Sequence, residues 1–276
     1  MLPQILHVFR NTPLGRETYL QTLYFCRQLD AGPNVYIPEH TKFLMYFEDE
    51  VLQVDLDSSY LSDLETARLH VEELTSSADL SAKYVVPKEY TASTLPDVPT
   101  QFDFMCCPRS MSDVSGKMGL GHIGPKVRRI VKGASFPILI PSIVYKEWQR
   151  LAVMFGGSPN SLRALRLGLA VQRRCGMPLD LFTYEEKGRE EAPLREILDR
   201  EGLTGSVQSQ VREWSFFKSG LMENDLYEVP HDALVILGAY GHGVIKDLLF
   251  GSRMEVFQSH LPNSFLVVGP RSAITI

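Results

Sequence analysis

Leu234-Val235-Ile236-Leu237-Gly238-Ala239-Tyr240-Gly241-His242-Gly243 is the stretch from which the fold can be read. Four apolar residues running straight into glycines read as a buried strand that stops where its backbone must come close to something. Gly251-Ser252 follows Gly241 after nine intervening residues, and Ser252-Arg253-Met254-Glu255 has the form of a capping box ahead of Val256 and Phe257. A strand end, a glycine loop and a helix N-terminus together make a phosphate cradle. Glycines let backbone N–H groups face an anion with no side chain in the way, and the helix dipole adds ~0.3–1 kcal/mol. Gly238, Gly241 and Gly251 would admit the ligand and Ser252 would offer its hydroxyl, with Leu237, His242 and Arg253 beside them. No Gly-Lys-Ser or Gly-Lys-Thr occurs and the spacing is not Gly-x-Gly-x-x-Gly, so neither a Walker loop nor the dinucleotide fingerprint is present.

Upstream of this stretch the pattern alternates between strand and helix. Leu151 to Phe155 reads as a strand, Gly156-Gly157-Ser158-Pro159 as its turn, and Ser161 to Cys175 as a helix stopped by Gly176. Leu179 to Tyr184 is a second strand, Pro193 to Glu201 a helix stopped by Gly202, Val207 to Val211 a third strand and Ser219 to Tyr227 a short helix. Phe265 to Val268 closes the series. Gly156, Gly157 and Ser158 would then lie against the nucleoside of a bound nucleotide, a tight turn being the competing role.

The first half repeats this order. Ile5 to Phe9 reads as a strand, Arg10 to Gly15 as its turn, Thr18 to Asp30 as a helix stopped by Gly32, and Asn34 to Pro38 as a second strand. Phe43–Phe47 and Val51–Leu56 read as an inserted hairpin, the first run fitting the start of a helix equally well. Ser62-Asp63-Leu64-Glu65 opens a helix, Lys83 to Val86 and Phe102 to Cys107 are strands, Lys126 to Lys132 is a helix, and Ile138-Leu139-Ile140 is the last strand. Superposing the halves puts Leu6 on Leu151, Asp103 on Asp232, Gly124 on Gly251 and Ile138 on Phe265. Gly238, Gly241 and Ser252 then fall on Met111, Val114 and Pro125. The expectation is two α/β domains, residues 1–145 and 146–276, each a mostly parallel five-stranded Rossmann-like sheet with right-handed crossovers, joined through Ile143–Glu147.

Composition narrows the function. The net charge of −5 and the absence of a basic footprint beyond Lys126-Val127-Arg128-Arg129 argue against nucleic acid. The four cysteines show no metal spacing, which implies a reduced, cytoplasmic compartment. No signal-peptide pattern and no membrane span are expected. Neither a general base nor a nucleophile stands beside the glycine loop, so catalysis is not expected.

Gly238, Gly241, Gly251 and Ser252 match the Gly-x2-Gly-x9-Gly-Ser/Thr motif of the universal stress protein family, which the chain resembles over nearly its whole length as a tandem-domain member. The resemblance implies ATP, with Mg²⁺, held by those glycines and the hydroxyl in the second domain. It also implies a stress-related regulatory role, and pairing of domains or subunits through the last strand, as an intrachain pseudo-dimer or a homodimer. Where the family's ATP binders carry an Asp after the first strand, this chain has Gly156 and, in the first half, Asn11. Losing that charge-assisted hydrogen bond removes roughly 1.5–3 kcal/mol. The first half is read as degenerate. The alternatives are a nucleotide-free interaction scaffold and an adenylyl-transferring enzyme.

Overall fold

The computed structural model describes residues 2–48, 50–88, 94–109, 111, 123–185, 190–218, 226–240, 261–274 and 276. The first half runs β1 (Gln4–Val8), α1 (Pro13–Leu29), β2 (Gly32–Tyr36), β3 (Lys42–Tyr46), β4 (Val51–Asp55), α2 (Leu64–Ser77), β5 (Lys83–Tyr84), β6 (Phe104–Cys106), α3 (Pro125–Gly133) and β7 (Ile138–Ile140). The second runs β8 (Arg150–Met154), α4 (Pro159–Cys175), β9 (Leu179–Glu185), α5 (Glu191–Arg200), α6 (Thr204–Gln210), β10 (Val211–Lys218), β11 (Ala233–Gly238) and β12 (Phe265–Val268).

Ten of these strands form one sheet in the order β10-β9-β8-β11-β12-β7-β6-β1-β2-β5. Each half contributes five strands in the same relative order, every pairing within a half being parallel. The halves meet at β12 and β7, which pair antiparallel with Leu266 opposite Leu139. Both faces of the sheet are covered, which is why its strands read as unbroken apolar runs. Leu6, Met105, Ile138, Ala152, Val235 and Phe265 enter one core. Ile5, Cys106, Leu139, Leu151, Ile236 and Leu266 enter the other. The hairpin of β3 and β4 stands apart as its own antiparallel pair and buries Phe43, Met45, Leu52 and Val54 in the first of these cores.

Several expectations need correcting. The stretch Val207–Val211 is not a strand. Leu203 and Val207 are buried at helical spacing beside α6, and the third strand is the aromatic-rich β10 that follows. Helix α1 begins at Pro13, with Thr12 as its cap accepting from the Gly15 N–H, so Arg10–Gly15 is only partly a turn. Its end is Asp30 in the left-handed region, while Gly32 already belongs to β2. Asp63, not Ser62, caps α2 by accepting from Thr66. The short helix read at Ser219 to Tyr227 lies almost wholly outside the described residues.

The superposition of the halves also shifts. Ile138 pairs with Met105 and Phe265 with Val235, so Met105 matches Val235 and Asp103 matches Ala233 rather than Asp232. Met105 pairs with Leu6 and Val235 with Ala152, so Leu6 matches Ala152, not Leu151. Continuing in register, Pro108 rather than Met111 takes the place of Gly238, and Arg10 rather than Asn11 that of Gly156. Thr12 and Ser158 then coincide, each capping a 17-residue helix with proline at its first position. The residue spacing between halves differs at the fourth and fifth strands, which is why a single offset carried from Gly124 to Met111 failed.

Candidate functional site

In the second half the strand order reverses between β8 and β11. The chain leaves β8 to reach β9 on one side, while β11 lies on the other, which makes this the topological switch point, where open parallel sheets have their crevice beyond the carboxyl ends. Met154 at the end of β8 pairs with Leu237 near the end of β11, which sets the Gly156-Gly157-Ser158 turn beside Gly238 and Ala239. Leu237, just before Gly238, is buried in the core.

The turn after β8 leads directly into α4. Ser158 caps this helix, its Oγ accepting from the Ser161 N–H at 3.2 Å, and the Ser161 hydroxyl donates to the Ser158 carbonyl at 2.9 Å. Gly157 has a φ of 72°, and a Cβ there would approach Leu194 and Ile197 of α5 to 2.8 and 2.9 Å. Its glycine is therefore demanded by both conformation and packing. Gly238 is demanded by close approach alone: a Cβ would lie 2.4 Å from the carbonyl carbon and oxygen of Asn160. The end of β11 thus rests on the first turn of α4, where the helix presents its N–H groups.

Four polar contacts hold this arrangement, and none was read from the sequence. Asn160 Nδ2 donates to the Ala239 carbonyl at 2.5 Å; Arg163 Nη1 donates to Asn160 Oδ1 at 3.0 Å and to the Pro270 carbonyl at 2.6 Å. Thr183 on β9 donates to the Phe155 carbonyl at 2.8 Å, fixing the turn from the other side. The only signal available was the Pro-Asn-Ser order in the first turn of a helix, which marks a helix start and nothing more. Of the residues expected to bind nucleotide, Gly156, Gly157, Ser158, Leu237 and Gly238 are brought together here. Gly241, His242, Gly251, Ser252 and Arg253 lie outside the described residues.

The corresponding crevice of the first half, between β1 and β6, is lined by large side chains. Arg10 stands at the position of Gly156 with its guanidinium 5.3 Å over the ring of Tyr60, which is itself 1% exposed. Burial holds the Tyr60 phenol well above its usual range, with Arg10 pulling the other way. Asn11 Oδ1 accepts from Arg16 at 3.1 Å, and His70 Nδ1 lies 2.8 Å from the same oxygen. Cys106 and Cys107 are buried strand residues whose thiols burial pushes up, Cys106 to about 12, which makes them poor nucleophiles. Among the described residues no group of three or more His, Cys, Asp or Glu is placed to hold a metal ion, and no helix is long and apolar enough to cross a membrane.

No protein-family model matches the chain and no curated protein matches it. Solved structures do. A universal stress protein from Archaeoglobus fulgidus DSM 4304 is similar over 97% of this chain and 98% of its own, at 15% identity and a TM-score of 0.61. A candidate universal stress protein from Pseudomonas aeruginosa UCBPP-PA14 is similar over 98% of this chain and 94% of its own, at 12% identity and a TM-score of 0.55. The cytoplasmic domain of a prokaryotic cation chloride cotransporter is similar over 97% and 95%, at 10% identity and a TM-score of 0.51. The chain therefore has the fold of full-length universal stress proteins, two doubly wound five-stranded units in tandem.

Proposed function

We propose that the second half binds an adenine nucleotide, ATP with Mg²⁺, as a ligand that it does not turn over, and that the protein acts as a regulator of the stress-response type. The observation that carries this reading is the crevice at the strand-order reversal. Its walls are the Gly156-Gly157-Ser158 turn and the exit of β11 at Gly238, and its floor leads to the N-terminus of α4. In open parallel sheets this is where nucleotides sit. Gly241, Gly251 and Ser252 supply the remaining phosphate contacts in this proposal, with His242 and Arg253 adjacent; the nucleoside lies toward Gly156. The first half is read as holding no nucleotide, because Arg10, packed over the Tyr60 ring, stands at the position that Gly156 takes in the second half.

The nucleotide-free scaffold is the second reading. It is favoured by Gly156, which offers no carboxylate, and by Gly157 and Gly238, whose lack of side chains packing already explains. Residues 1–145 and 146–276 would then serve as two domains joined through β7 and β12, presenting a surface to a partner or to a second copy.

Denaturing the protein purified under native conditions, and identifying released small molecules by mass spectrometry, separates these readings. The nucleotide reading expects an adenine nucleotide or, failing retention, an upward thermal shift with ATP and Mg²⁺. Neither nucleotide nor shift would leave the scaffold. ATP turnover above a buffer blank would instead make the protein an enzyme.

A further inference from the structure

Phe155, the residue after β8, turns both of its main-chain groups toward β9. Its N–H donates to the Phe182 carbonyl at 2.8 Å, and its carbonyl accepts from the hydroxyl of the fully buried Thr183 at 2.8 Å. The direction of that second bond is fixed from outside. Trp214 of β10 donates its indole N–H to Thr183 Oγ1 at 2.9 Å, and an indole nitrogen can only donate. Thr183 therefore accepts from Trp214 and gives its single proton to Phe155.

Trp214 is itself held in place. Its ring stacks on Phe216 with centroids 4.9 Å apart, meets the Phe155 ring edge-on at 5.9 Å, and lies under the Arg195 guanidinium at 5.1 Å. Glu191, one helical turn earlier on α5, pairs with Arg195 at 2.6 Å. Leu194 and Ile197, on either side of Arg195, are the residues that crowd Gly157. Helix α5 and strand β10 thus hold the turn after β8 from two directions.

Backbone geometry carries this to the next residue. Among the described residues no peptide bond is cis, and a planar trans peptide points its carbonyl and the following N–H to opposite sides. With the Phe155 carbonyl aimed at β9, the Gly156 N–H is aimed away from β9, toward β11. It meets no acceptor among the described residues, and Gly156 is half-buried rather than enclosed. The ladder between β8 and β11 ends at the Met154–Leu237 pair, so this donor looks into the space between the two strand ends.

We propose that Thr183 is a positioning residue for the bound nucleoside: by holding the Phe155 carbonyl against β9, it presents the Gly156 N–H to a ribose hydroxyl oxygen between β8 and β11. The wall thereby offers a donor at a residue whose side chain offers nothing. The proposal rests on the nucleotide reading for its ligand; the relay from Trp214 through Thr183 to Phe155 stands without it.

The test uses the full chain, with Thr183→Val, which keeps the shape and removes the hydroxyl, and Thr183→Ser, which keeps the hydroxyl. The chain has two tryptophans, so Trp214 gives one of two indole N–H resonances, assigned by its loss in Trp214→Phe. In Thr183→Val that resonance is expected to move and its hydrogen exchange to quicken, while in Thr183→Ser both stay near native. An unmoved resonance in the valine variant overturns the relay, whether or not nucleoside binds. Calorimetric titration with adenosine, 2′-deoxyadenosine and 3′-deoxyadenosine tests the ligand. The native chain is expected to bind one deoxy analogue about two- to tenfold more weakly than adenosine, the range for one lost hydrogen bond. Thr183→Val is expected to lose that discrimination and to bind adenosine more weakly by the same factor; Thr183→Ser is expected to retain both. Native discrimination in the valine variant overturns the positioning role and leaves a purely structural one. No binding of adenosine to the native chain overturns the nucleotide reading and the ligand half of the proposal with it, while the indole resonance still decides the relay. Trp214→Phe, which removes the donor that fixes the Thr183 proton, covers the case in which the valine variant does not fold. It is expected to weaken the discrimination, and full native discrimination in it overturns the proposal.

Discussion

Gly238→Ala puts the packing at the crevice to a direct test. A Cβ at this position would lie 2.4 Å from the carbonyl carbon and oxygen of Asn160 and 2.8 Å from the Ser161 nitrogen, whereas ordinary contact begins at 3.4 Å. All three atoms are backbone at the start of α4, so no rotamer change relieves the overlap; β11 and the helix must separate by roughly 1 Å. Overpacking of this kind costs ~1–3 kcal/mol, and alanine recovers ~0.5–1 kcal/mol of it by stiffening the unfolded chain. A net loss of about 1–2 kcal/mol lowers the melting midpoint by roughly 2–8 °C, at about 2–4 °C per kcal/mol for chains of this size class. Thermal unfolding followed by circular dichroism reads the change. Gly205→Ala is the control: the residue lies in α6 with nothing within 4 Å of the added Cβ, and the variant should gain stability. A Gly238→Ala midpoint equal to or above native would refute the claim that β11 rests on the helix at that point.

Two further outcomes are expected. His7 is fully enclosed, its Nδ1 2.8 Å from Thr22 Oγ1, and burial lowers its pKa to about 3. Its unfolded form titrates near 6.5, so the stability due to keeping it neutral is complete above pH 6.5 and is lost as pH falls toward 3. At pH 5 the loss is about 2 kcal/mol, and urea unfolding of the native chain against His7→Leu should show a steeper acid dependence in the native; parallel curves would contradict this. Gly156→Asp places a carboxylate at the mouth of the second-half crevice, where φ is not in the left-handed region. It should tighten ATP and adenosine alike by about one to two decades, measured by calorimetric titration, and a folded variant with native affinity for both would count against a nucleoside at that wall.

The fold was legible because buried parallel strands write themselves as apolar runs ending at glycines. Leu234–Leu237, Ile138–Ile140 and Phe265–Val268 all fell where they were read, and so did the inserted hairpin. Val207 and Val211 were misread because two valines four apart fit either a short strand or one helical face, and only the burial of Leu203 with Val207 decides between them. The offset that joins Gly124 to Gly251 failed when carried back to Met111, because the halves differ in length between their fourth and fifth strands. The strand register recovers it, and puts Arg10 where a glycine or an acidic residue was sought. At the site, glycine identity was readable but its cause was not: Gly238 and Gly157 are explained by Asn160, Leu194 and Ile197, residues remote in sequence or unremarkable in type. Thr183 was hidden for the same reason, since its partners are a main-chain carbonyl and an indole 28 and 31 residues away.

Whether a nucleotide occupies the crevice between β8 and β11 is tested most directly by photolabelling the native chain with 8-azido-ATP and mapping the modified peptide by mass spectrometry. Label confined to the segments following β8, β9 and β11, and abolished by excess ATP, is the predicted result. Label in the first half, around Arg10 and Tyr60, or label that excess ATP does not displace, would contradict it.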